Sequence, residues 1–353
     1  MTWDHPRAYD PLLACDAVWR ARTGVSVQWD RRSLQDFETY PIEQLARRYD
    51  LLVIDHPHVG LVAEQGCLVA FEQGVDAVGP SLASYRWNGR LWALPIDAAT
   101  QVQCIHRDRL GAPPTEWAAV LELAHAGKVL VPLRSPHALM CFMTLAANTG
   151  HPCGATPDVF VEPEIGADVL DQLRQLSSLM DEACFGMDPI AVYERMSEPG
   201  HAACCAPLIY GYVSYARAKF RGSKLAFSGI ALPEQRGATL GGTGIAVSSR
   251  SAAVEAAVEA ARWIAGPEAQ TGPYAASGGQ PAHVDAWNDA RLDADCGGFF
   301  SATRTTVDQS YVRPRDAGYM AFQQRASTRV SAALRDGDTN GAVGDLNAMF
   351  AAR

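Results

Sequence analysis

Hydrophobic positions in the N-terminal part of the chain switch repeatedly between the spacing of a helix and the unbroken runs of a buried strand. Leu12, Leu13, Val18 and Trp19 share a helical spacing over residues 11–22, and Gly24 supplies the stop. Residues 25–29 alternate as a strand does, and Pro41 opens a short helix reaching residue 49. Leu51, Leu52, Val53 and Ile54 form a continuous apolar run, as expected of a strand covered on both faces. Residues 59–69 read as a helix broken at Gly66. Strand and helix in alternation predict an open α/β sheet.

Further along, residues 86–95 form a hairpin pattern around Asn88 and Gly89, and residues 101–107 return to a strand. A helix is predicted after Pro113 and Pro114, with Thr115 as its cap. The middle, 135–230, is mostly helical, over 138–147, 165–180 and 189–196. An apolar strand over 203–212 leads into a loop bearing Tyr and Gly. Gly241, Gly242 and Gly244 enter a short strand, and residues 251–266 form the clearest helix, with a Ser cap and a Gly stop. Two helices flanking residues 336–341 are expected in the tail.

The chain has 353 residues, enough for two domains, with 48% hydrophobic and 20% charged residues. Its formal net charge of −9 opposes binding to nucleic acid or anionic lipid. No apolar run reaches the roughly 18 residues of a membrane span, so no membrane insertion is expected. The first residues lack the basic start and apolar stretch of a secretory leader, which points to the cytoplasm unless a leader was removed. Nine cysteines without a CxxC motif or regular spacing read as small buried hydrophobes, and so many free thiols suit a reducing compartment.

Five collinear stretches resemble the extracellular solute-binding proteins of ABC importers, the maltose-binding-like family 1 group. They are residues 49–55 with 61–70, residues 88–97 with Gln101, residues 113–117, residues 241–247, and residues 256–270 with Trp263, Pro267 and Glu268. The resemblance spans nearly the whole chain. It implies a two-lobed periplasmic-binding-protein-like fold of type II. Each lobe would be an open mixed sheet flanked by helices, with crossing strands as the hinge. Lobe one would comprise 1–101 plus 237–285, and lobe two 102–236 plus 286–353. The implied function is carbohydrate or other polar solute capture by closure of the lobes. Delivery would be to an ABC permease, by a periplasmic monomer without cofactor or catalysis.

In open α/β sheets ligands sit beyond the carboxyl ends of strands, which directs attention to particular loops. Trp3, Asp4 and His5 follow the opening strand, and Asp55, His56 and His58 follow the third. The resemblance implies that these two strands are neighbours, so two Asp-His-Pro triplets would face one cleft and offer hydrogen bonds to a polar solute. Asp and His in loops also satisfy backbone groups, and His5, His56 and His58 offer a metal set as a third reading. Arg31 and Arg32 are suited to clamp a carboxylate or phosphate, or else are solvated at a helix start. The resemblance adds Asp97 and Gln101 at the first crossing between lobes, and Tyr210 and Tyr212 in lobe two. Gly242, with Gly241, lets backbone amides approach a ligand or makes a tight turn. Trp287 and Arg313 are further candidates.

The supply of His5, Arg7, Arg31, Arg32, His56 and His58 suggests a small or anionic solute such as an acid sugar or carboxylate. The alternatives are a metal-assisted or acid–base enzyme using Asp4, Asp55, Asp97 and the histidines, and a cytoplasmic ligand sensor on the same scaffold. No GxSxG, HExxH, P-loop or GxGxxG motif occurs to favour an enzyme.

Overall fold

The computed structural model describes residues 1–34, 36, 41–222, 225–232 and 237–353. Strand β1 (Thr2–Trp3) pairs in parallel with β2 (Arg31–Arg32). Met1 joins this pair to β3 (Leu51–Ile54): its N donates to Leu51 O, and its carbonyl accepts from Val53 N, both at 3.0 Å. All four residues of β3 are buried, as their apolar run requires. β4 (Arg86–Trp87) and β5 (Arg90–Leu91) form the hairpin around Asn88 and Gly89, whose φ values of 48° and 73° are those of a turn with both central residues left-handed.

The long strand β6 (Leu94–His106) organises the rest. Its first half pairs antiparallel with β9 (Leu240–Val247), which in turn pairs with β3. Its second half pairs with β7 (Cys205–Tyr210) and β8 (Leu225–Ser228). One strand therefore runs through two regions of sheet, and every residue of it is buried. A register shift between Pro95 and Asp97 interrupts its pairing with β9, which resumes and runs on to Thr100.

Two hydrophobic cores result. One gathers residues between Met1 and Ile96 with Ile245–Tyr274, including Trp3, Leu52, Val53 and Ile264. The other gathers Ala98–Ala238 and Ala282–Phe350, including Phe142, Tyr193, Tyr215 and Phe322. The chain passes between them along β6, along β9, and again between Tyr274 and Ala282. Helices cover both regions of sheet, among them α1 (Pro6–Thr23), Val254–Ala265, His137–Asn148 and Tyr319–Asp336.

Several expected elements shift for local reasons. Helix α1 starts before residue 11, because Pro6 occupies its first turn and His5 Nδ1 accepts the Arg7 N–H as the cap. It ends at Gly24 (φ 78°), as expected. Residues 25–29 form no strand: the Val27 N–H goes to the Asp16 carboxylate, and pairing begins at Arg31. Thr115 is not a cap, since the following helix, Trp117–His125, begins after Glu116 without a side-chain bond. Ser251 likewise does not cap Val254–Ala265 directly. Its hydroxyl accepts from Ala253 N and donates to Asp50 Oδ1 at 2.6 Å, tying the helix start to the approach to β3. All nine cysteines are buried and none forms a disulfide.

Candidate functional site

A cleft opens between the two cores and holds about 710 Å³ of empty space, its mouth included. Its first wall carries Trp3 from the end of β1, Arg7 from the first turn of α1, Asp55 just past β3, and Asp97 and Ala99 on β6. Gly241, Gly242 and Thr243 of β9 form its floor. Facing them are Tyr210 at the end of β7 and Tyr212 just past it, Pro136, His137 and Met140 at the start of one helix, Pro189 at the start of another, and Arg313 and Gln323. Strand carboxyl ends and helix N-termini thus converge on one space, the usual location of a ligand in such sheets.

Charges in the cleft are paired. Arg7 forms a bidentate ion pair with Asp97, with Nε at 2.8 Å from Oδ2 and Nη2 on Oδ1. Its remaining Nη1 donates to Gly211 O at 3.0 Å, and its guanidinium lies 4.3 Å from the Tyr212 ring centre. Arg313 Nη2 donates to Asp55 Oδ2 at 2.7 Å and Nη1 to Gln323 Oε1 at 2.9 Å. Both guanidinium groups and Asp97 are buried, as an ion pair tolerates only when partnered. Burial pushes Asp55 up, but Arg313 overrides it and holds the carboxyl well below the usual range. For Asp97, burial raises the pKa against the pull of Arg7. Burial lowers His137 to about 4, so this imidazole is neutral at pH 7. Each cation among the described lining residues therefore has its carboxylate, and these residues together carry no net charge.

Polar and aromatic groups remain to meet a solute. Trp3, Tyr210, Tyr212 and His137 supply ring surfaces, and the paired carboxylates retain lone pairs toward hydroxyl donors. Gly241 and Gly242 are required by their neighbours. A Cβ on Gly241 would stand 2.6 Å from Tyr210 Cε1, and one on Gly242 (φ 92°) would stand 2.2 Å from Asp97 O. The glycine floor is thus what lets Tyr210 lie against β9.

Of the residues singled out from the sequence, Trp3, Asp55, Asp97, Tyr210, Tyr212, Gly241, Gly242 and the further candidate Arg313 line the cleft. Asp4, His5, Arg32, His56, His58 and Gln101 do not. Asp4 is exposed and pairs with Arg31 at 3.0 Å, which also removes Arg31 from the cleft. Arg32 sits half-buried on β2. His5 caps α1, while His56 is buried with its ring edge-on to Tyr85. His58 is buried beside it at the end of a single helical turn that Asp55 caps through the His56 N–H. Gln101 lies past the cleft on β6, where its Nε2 donates to Cys141 Sγ. The metal set offered as a third reading is not assembled, since no three His, Cys, Asp or Glu side chains converge among the described residues. Trp287 packs in the second core, its Nε1 donating to Pro281 O. Arg7, His137, Thr243 and Gln323 were not singled out as site residues. Arg7 alone had an available signal, as the cation next to Asp4-His5-Pro6 after the first strand.

Comparison with known proteins places the chain in a family and agrees with its fold. The family described as bacterial extracellular solute-binding protein matches residues 22–295. Among solved structures, the fold is similar to maltose-bound MalE3 of T. maritima, at 17% identity and TM-score 0.82, covering 96% of this chain and 95% of that one. It is similar to an ABC transporter solute-binding protein of Thermotoga lettingae TMO bound with α-D-tagatose, at 15% identity and TM-score 0.83, covering 97% and 96%. It also resembles one of Agrobacterium radiobacter K84 in complex with ribitol, at 17% identity and TM-score 0.76, covering 98% and 96%. No curated protein sequence matches the chain.

Proposed function

The chain belongs to the bacterial extracellular solute-binding proteins, and on that premise we propose that it captures a neutral, polyhydroxylated solute, a small sugar or polyol, for an ABC importer. The observation that carries the solute class is the internal neutralisation of the cleft by Arg7–Asp97 and Arg313–Asp55. Among the described lining residues no guanidinium is left without its own carboxylate to meet an anion, and the other cations proposed for that role, Arg31 and Arg32, do not line the cleft. Paired carboxylates and aromatic faces suit hydroxyl groups and the apolar face of a sugar ring. Similar folds hold maltose, tagatose and ribitol, which supports the same class.

In this reading lobe one is residues 1–101 plus 237–285 and lobe two is 102–236 plus 286–353, a division supported by the two cores. Closure traps the solute without turnover, and the monomer then docks on its permease on the outer side of the membrane. Trp3, Asp55, Asp97, Tyr210, Tyr212, Gly242 and Arg313 are the contacts proposed from the sequence, joined by Arg7 and His137. Isothermal titration calorimetry tests the proposal with maltose, tagatose and ribitol against citrate and glucarate. Heat from at least one neutral compound and none from the two anions is expected. Tight binding of an anion with silence from every neutral compound would overturn it.

A further inference from the structure

We propose that His5 makes closure of the two lobes, and with it solute capture, sensitive to acid. The inference rests on the two-lobe reading and adds a means of regulation to it. His5 lies beside the cleft, where the start of α1 meets the second core. Its ring is 5.2 Å from that of Tyr212, edge-on, 6.0 Å from Phe220 and 6.2 Å from Tyr215. Only 5% of the residue is exposed.

Both ring nitrogens oppose a charge here. Nδ1 accepts the Arg7 backbone N–H at 3.0 Å, so the neutral ring carries its proton on Nε2. Nε2 is buried and without a hydrogen-bond partner. Protonation would convert Nδ1 into a donor, removing the α1 cap, and would leave a cation with no acceptor. The surrounding charges do not rescue it. The Arg7 guanidinium stands on the same turn, and Asp4 is exposed on Arg31. Glu194, the carboxylate nearest in sign and place, is held by Arg221 and by the Tyr215 hydroxyl. The rings of Tyr212, Tyr215 and Phe220 complete the contact.

Burial first, and Arg7 next, lower His5 from 6.5 to about 3. Parting the lobes would return the ring to water and to its ordinary value. Closure is then favoured at pH above 6.5 and weakens as pH falls, because only the open form takes the proton. Between pH 7.5 and 5.5 the closed-to-open ratio is expected to fall about tenfold.

Small-angle scattering of the ligand-free chain at pH 7.5 and 5.5 tests this on the wild type, His5→Asn and His5→Phe. Asn retains a capping acceptor and Phe retains the ring contact, and neither titrates. Far-UV circular dichroism on the same samples separates opening from unfolding. The radius of gyration should rise on acidification in the wild type and stay constant in both variants. A wild type that does not change, whether closed or open throughout, overturns the proposal, and so does a rise retained by either variant. The readout needs no solute, so failure of the sugar titrations and failure of this inference are separate results.

Discussion

Arg7 is the residue on which most of the cleft depends. Its guanidinium is spent on Asp97, Gly211 O and the Tyr212 ring, so it joins the two cores while lining the space between them. Removing one partner of a buried ion pair strands the other charge, at about 3–5 kcal/mol. Arg7→Ala should lower unfolding stability in urea by that amount, and the double variant Arg7→Met/Asp97→Leu should recover much of it. A single-variant loss below about 1 kcal/mol would mean that water reaches Asp97 and that the pair is not buried in solution. Residue scale is also where sequence reading was weakest. Asp55 and Asp97 were legible as acids ending or entering strands, but the imidazoles were not. An Asp-His-Pro triplet looks alike whether its His reaches a solute or caps the next turn. The backbone decides: His5 turns back to the Arg7 N–H, and Asp55 caps the turn that carries His56 and His58 inward.

Elements were read more faithfully than residues. The strand at residues 51–54, the hairpin at Asn88 and Gly89, and the tail helices follow from periodicity and turn chemistry and occur where expected. The length of β6 was not legible, because its polar residues interrupt the apolar pattern although all are buried in one crossing strand. Glycines divide along the same line. Gly24 and Gly242 share a left-handed backbone, but a Cβ at Gly24 meets nothing within 4 Å whereas at Gly242 it meets the backbone of Asp97. Gly24→Ala should therefore cost only the conformational strain, about 1–2 kcal/mol. Gly242→Ala adds overpacking and should cost about 2–5 kcal/mol. Thermal denaturation of the two variants side by side measures the difference, and equal losses would show that β6 and β9 can separate at the floor of the cleft.

At the scale of the whole molecule, burial of histidines sets the response to acid. Burial lowers His56, His58 and His137 to about 4, and His5 lower still. Each stays neutral in the fold and takes a proton when unfolded, so stability is intact above pH 6.5 and falls as pH drops toward 4. Each contributes a slope approaching 1.4 kcal/mol per pH unit below its unfolded pKa. Asp55, held low by Arg313, adds its loss only at more acidic pH. The melting temperature is expected to fall most steeply between pH 6 and 5. A melting temperature unchanged down to pH 5 would show that these rings are hydrated in solution.

The sequence by itself determined the α/β class, most of the order of the strands and helices, the resemblance to the solute-binding family and the general place of the candidate cleft at strand ends. Those properties are local or additive: a period, a turn residue and the succession of elements survive without knowledge of what packs where. Only the tertiary structure decided which polar groups face the cleft and with what charge. Arg7 meets Asp97 across ninety positions of chain, and Arg313 meets Asp55 across 258. Pairing at such separation leaves no local pattern, since it is set by the crossing strands that bring distant segments to one wall.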